Sequence, residues 1–128
     1  MWLMLNTGFL SIVQPSDRDL AQFAPAGDDL LLVRARARGH IEAAFPAAEV
    51  LEVKGRDYLF RAFVPRAQVA AKAAELVTAI DYGNFKDSVP DRALHDAYAD
   101  CWSVFYRYQR AEAHKPHSGV LRARRGGY

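Results

Sequence analysis

Arg34, Arg36 and Arg38 occupy alternate positions in one run of residues, and Arg61 lies in a second run of similar character. In an extended chain, side chains two apart point the same way. The first three guanidinium groups therefore share one face of a strand over residues 29–37, with Leu31, Val33, Ala35 and Ala37 on the other. In the second run, 57–64, Tyr58, Phe60, Ala62 and Val64 suit a core, which turns Leu59, Arg61 and Phe63 outward with the arginines. A guanidinium grips planar anions through a two-pronged set of N–H donors and also stacks on rings. Such a face predicts binding of a phosphate, a carboxylate or stacked bases. Two plainer readings stand beside it. The arginines pair with acids, Glu52 being on the right side of its own strand to meet Arg61, or Leu30, Leu32, Leu59 and Phe63 make the face apolar enough to be buried in a homodimer.

A second candidate is the polar and aromatic stretch 81–87, with Tyr82, Asn84 and Lys86 as its contact residues. Binding residues favour loops between rigid elements. The alternative is a connector whose Tyr82 and Phe85 plug the core.

Catalytic chemistry finds less support. His40, His95, His114 and His117 show no metal-ligand spacing with Cys101, the single cysteine. His95 and Cys101 are separated by about 240° around a helix at roughly 100° per residue, so they do not face each other. Asp96 and Asp100 are neighbours one helical turn apart and could share a proton or a cation, but a solvated helix face explains them better. No phosphate-binding glycine loop, dinucleotide fingerprint, nucleophile elbow or HExxH pair is present. No catalytic residue, metal or cofactor is assigned, and a small enzyme acting on an anionic substrate is the runner-up to a binding or regulatory protein.

The elements that would position these residues follow from periodicity. Residues 2–5 and 9–13 are β-rich and flank Asn6, Thr7 and Gly8, as a hairpin or as one strand with a bulge. Residues 14–28 carry two prolines and three acids and read as a surface loop anchored by Leu20 and Phe23. After strand 29–37 comes a short helix that Pro46 ends. Strands 49–54 and 57–64 surround Gly55 and Arg56, and Pro65 opens a helix striped by Val69, Ala73, Leu76 and Ile80. A capping box at Ser88 starts a last helix over about 91–111, striped by Leu94, Tyr98, Cys101, Trp102, Phe105 and Tyr108.

The order ββαββα plus a long C-terminal helix predicts an α+β fold. Its antiparallel sheet has four or five strands with helices on one face, a ferredoxin-like arrangement with the last strand moved to the front. Strands 29–37 and 57–64 fall side by side at its centre.

Composition sets outer limits. The chain has 128 residues, the size of one domain, and 51% hydrophobic content suits a packed core. Of its 17 basic and 15 acidic side chains, four basic ones and no acid fall in 114–128, leaving 13 against 15 in the rest. We therefore expect one domain over 1–113 and a flexible basic tail over 114–128. A slightly acidic body argues against nucleic acid as a partner, since most nucleic-acid-binding domains carry positive charge on the folded part. One cysteine, no signal-peptide pattern and no long apolar run point to a cytoplasmic protein without a membrane span.

Trp2 with Gly8, Phe9 and Ser11, the run Val33, Arg34, Ala35, Arg36, then Tyr58 with Arg61, residues 80–86 and Trp102 together resemble a group of small uncharacterised bacterial proteins of similar length. The resemblance spans roughly residues 2–110, and 80–86 is its most specific part. It implies no activity or site residue. The expected partner is a protein or a small anionic ligand, with a homodimer as the further possibility.

Overall fold

The computed structural model describes residues 1–116. Strands β1 (Trp2–Leu5) and β2 (Gly8–Val13) form a hairpin about Asn6 and Thr7, resolving the choice left open by the sequence. Helix α1 (Asp17–Phe23), strand β3 (Leu30–Ala35) and helix α2 (His40–Ala44) follow, then β4 (Leu51–Glu52), β5 (Phe60–Pro65), α3 (Arg66–Thr78), a 3₁₀ turn (Lys86–Ser88) and α4 (Arg92–Ala113). The sheet has five strands in the order β1-β2-β3-β5-β4, and every neighbouring pair is antiparallel. β3 and β5 lie together at its centre, as expected. The tail lies outside the described residues from 117 onward.

Alternation divides each strand between two layers. Leu10, Ile12, Val33, Ala35, Phe60, Ala62 and Val64 meet Ile41, Ala44 and Phe45 of α2 and Val69 of α3 in the main core. Burying each of the larger side chains contributes about 1.5–3 kcal/mol, and branched residues suit the pleated surface. Gly8 is required by packing. A Cβ there would come within 2.8 Å of Cβ and Cγ of His40, so only a residue without a side chain lets β2 approach α2.

The opposite face is not open, which corrects the expectation of helices on one side only. The supposed loop over 14–28 contains α1, whose Asp19 and Phe23 rest on that face against Arg61 and Phe63. Ser16 caps α1: its hydroxyl accepts from the Asp19 N–H at 3.1 Å, and the Asp19 carboxylate accepts from the Ser16 N–H at 3.1 Å. On this face Leu32 is fully buried, and Leu30, Leu59 and Phe63 are half-buried.

Helix α4 begins at Asp91, whose carboxylate accepts from the Leu94 N–H at 2.8 Å. Ser88 is not the cap; its hydroxyl closes the preceding 3₁₀ turn on the Phe85 carbonyl. Tyr98 alone of the 22 residues of α4 is buried. Trp102, Val104, Phe105, Tyr106 and Tyr108 are exposed, so the apolar stripe outruns the body that it was expected to join. No helix among the described residues is long and apolar enough to cross a membrane.

Candidate functional site

The arginine group separates into structural and accessible members. Arg34 and Arg61 are directly opposed on β3 and β5 and point to the same face, as parity required. Arg61 is only 2% exposed. Its guanidinium lies 3.6 Å from the Asp19 carboxylate and 3.4 Å from that of Asp57, and it is not paired with Glu52, which instead meets Arg38 at 2.9 Å. A buried charge needs such partners because the surroundings solvate it poorly. Burial lowers the Arg61 pKa and the neighbouring Arg56 lowers it further, while Asp19 opposes both; the group remains a cation. Phe63 packs on Phe23 with ring centroids 6.0 Å apart. Arg61 is buried and so is not a solvent-facing contact residue, while Phe63 is half-buried beside Phe23.

Arg34 is half-buried and donates to the Ser11 hydroxyl at 2.8 Å. Arg36 is exposed and donates to the Asp57 carbonyl at 2.7 Å. Their guanidinium carbons lie 4.4 and 4.2 Å from the centre of the Tyr58 ring, within cation–π range. Tyr58 is buried, as expected, but against these arginines and outside the strand. Neither arginine has a carboxylate partner among the described residues.

Arg36 also borders a hollow of about 470 Å³ between the sheet and α4. Trp2, Met4 and Phe9 supply one wall; they share a face because Trp2 pairs with Ser11 and Met4 with Phe9 across the hairpin. The Trp2 and Phe9 rings meet edge to face, with centroids 5.7 Å apart. Leu94, Ala97 and Cys101 supply the other wall, since they recur on one side of α4. His40 lies at the end of the hollow, where its Nδ1 accepts from the Phe9 N–H at 3.2 Å and so places the ring hydrogen on Nε2. Asp91 contributes the one carboxylate and is engaged as the cap of α4.

The loop candidates gather at an adjoining hollow of about 600 Å³, which shares Met4, Tyr98 and Cys101 with the first. Asn84 and Lys86 line it with Phe85, Trp102 and Phe105. The Asn84 side chain accepts from the Lys86 N–H at 3.1 Å, and the Lys86 ammonium lies 5.2 Å from the centre of the Trp102 ring. Tyr82 stands apart, packing on Phe85, which in turn packs on Tyr98. Phe85 is thus the plug foreseen for this segment. Cys101 is half-buried and borders both hollows.

Sequence reasoning placed Arg36, Asn84 and Lys86 at accessible positions but missed Trp2, Phe9 and Leu94; His40 was named only for the enzyme reading, as an ionisable pocket residue beside an acid. The signal for Trp2 and Phe9 was their shared parity with Ser11 and Arg34, unreadable while hairpin and bulge remained open. Tyr98 fixes the whole arrangement. Burial pushes its phenol well above the usual tyrosine range, which keeps it protonated as a donor. No group of three His, Cys, Asp or Glu side chains among the described residues could hold a metal ion. Comparison of the chain with protein-family models, with curated proteins and with solved structures found no match.

Proposed function

We propose that this chain is a non-catalytic binding protein whose ligand is an apolar molecule bearing one anionic group. The ligand body would fill the hollow between the hairpin and α4, and its anion would meet Arg36. The carrier would be one domain over residues 1–113, a ferredoxin-like sheet with its last strand moved to the front. The strand order supports that topology, with β2 in the place of the displaced strand.

The observation that carries the reading is a guanidinium without a carboxylate partner among the described residues, bordering a hollow otherwise lined mainly by Trp2, Met4, Phe9, Leu94 and Ala97. Its volume of about 470 Å³ falls in the range of small-molecule sites, roughly 300–1,000 Å³. An Arg side chain gives a carboxylate or phosphate a charge-assisted, directional contact, while apolar walls reward the rest of the ligand by burial.

Binding is favoured over an enzyme on the same class of substrate by the wiring of the ionisable groups. Arg36, His40, Asp91 and Tyr98 each bond to backbone, and no two of them bond to one another. A nucleophile or general base is ordinarily held by a partner side chain within hydrogen-bond reach.

Thermal melts with decanoate and with decanol, both below their aggregation limits, test the proposal. Decanoate should raise Tm more than decanol does. Equal shifts, or none from either, would refute it.

A further inference from the structure

The two edges of the sheet are built differently. β4 has two residues, and its Glu52 is held by Arg38 at 2.9 Å. A short, charged edge strand resists pairing with another chain. β1 has four residues, all apolar, and no ionisable side chain occurs before Asp17. Neither proline nor bulge interrupts its one-to-one register with β2. Charge, proline and bulge are thus all missing from β1.

The register also shows which backbone groups of β1 face outward. Met1 and Ile12 exchange hydrogen bonds, the Met1 amine donating to the Ile12 carbonyl at 2.7 Å and the Ile12 N–H to the Met1 carbonyl at 2.8 Å. Bonded pairs alternate along an antiparallel ladder. Leu3 and Leu5 therefore bond to Leu10 and Gly8, and the N–H and C=O groups of Trp2 and Met4 point away from the sheet.

Apolar surface gathers around that edge. Among the described residues every exposed large apolar side chain except Leu20 belongs to the first two residues, to the end of α3 and its exit at Val77 and Ile80, or to α4. Val77 and Ile80 share a hollow with Leu3 and Leu5 on one side of β1. Trp102 and Phe105 share one with Met4 on the other.

We infer that β1 is a dimer seam, where a second copy of this chain lays its own β1 antiparallel to the first and joins the two sheets into one. Geometry dictates the register. Satisfying both outward pairs places Trp2 opposite Met4 of the second copy and Met4 opposite its Trp2, with Leu3 facing Leu3 on the two-fold axis. The axis runs perpendicular to the sheet, so like faces adjoin. The Val77 and Ile80 sides of the two copies then meet on one face, and the Trp102 and Phe105 sides meet on the other. A second copy fits because the edge is complementary to itself: the same two residues supply donors and acceptors, as a two-fold interface requires. The uncharged strand brings no like charges together.

Light scattering on the full chain across a concentration series tests the seam. The expected mass is twice the 14.3 kDa of the chain. Met4→Pro deletes an outward N–H and spares the bonds of Leu3 and Leu5 to β2, so it should give a monomer with unchanged far-UV circular dichroism. A second variant guards against misfolding. Leu3→Cys with Cys101→Ser should cross-link to itself on mild oxidation, because facing non-bonded residues lie about 4.5 Å apart between Cα atoms, within disulfide reach. Leu5→Cys in the same background should not. A monomer at every concentration, or a dimer in which Leu3→Cys fails to cross-link, would overturn the inference. So would capture of a foreign strand by a chain that does not self-associate.

Discussion

The hydroxyl of Tyr98 meets the carbonyl oxygen of Gly8 at 2.8 Å, joining α4 to the hairpin turn across 90 residues of sequence. The Leu5 carbonyl, at 2.9 Å, shares the same donor. Tyr98→Phe should therefore leave two carbonyls without this partner and cost about 1–2 kcal/mol of stability. Urea unfolding checks this. A change within about 0.3 kcal/mol would show that α4 is held by its apolar contacts alone.

Arg61 and Arg36 belong to one alternating pattern but should respond differently to truncation. Arg61→Ala removes the partner of buried Asp19, and isolating a buried charge costs about 3–5 kcal/mol. Arg36→Ala touches an exposed side chain and should change stability by no more than about 0.5 kcal/mol. Equal losses in denaturant melts would show that the α1 strap does not sort the two arginines as described.

Acid should act through Asp19. Burial raises its carboxyl pKa, but hydrogen bonds from the Ser16 hydroxyl and N–H, together with the Arg61 charge, outweigh burial and leave it below the unfolded value of 3.8. A depressed folded pKa means that the ionised form is bound more tightly in the native state. The stabilisation is present above the unfolded pKa and is lost as pH falls through the folded one. Asp19→Asn should be less stable at neutral pH and lose less on acidification below about pH 4. Parallel stability profiles for the two proteins would contradict the assignment.

Much of the fold was legible because it rests on short-range periodicity. Alternation put Arg34 and Arg61 on one face and Ala35 and Ala62 on the other, and the long stripe from Leu94 to Tyr108 announced α4. What alternation cannot report is what lies above a face. α1 has only seven residues between two prolines, too few for a helical stripe, and its one local sign was Ser16 three residues before Asp19. That strap turned Arg61 from a contact residue into a buried one. The stripe on α4 was plain in the sequence, yet an apolar periodicity looks the same whether or not a body lies beside it. Trp102 and Phe105, at 55% and 62% exposure, show the difference. The hollow beside Arg36 joins residues from both ends of the chain, and no local pattern encodes that meeting.

Calorimetric titration of the protein with decanoate and decanol, on the native chain and on Arg36→Gln and Ala97→Trp, tests the binding proposal most directly. Decanoate should bind, Arg36→Gln should weaken it about tenfold while leaving decanol unchanged, and Ala97→Trp, which fills the hollow, should weaken both. A tenfold loss corresponds to about 1.4 kcal/mol, the scale of one charge-assisted hydrogen bond. Decanoate binding that is indifferent to both substitutions would place any ligand elsewhere and contradict the account.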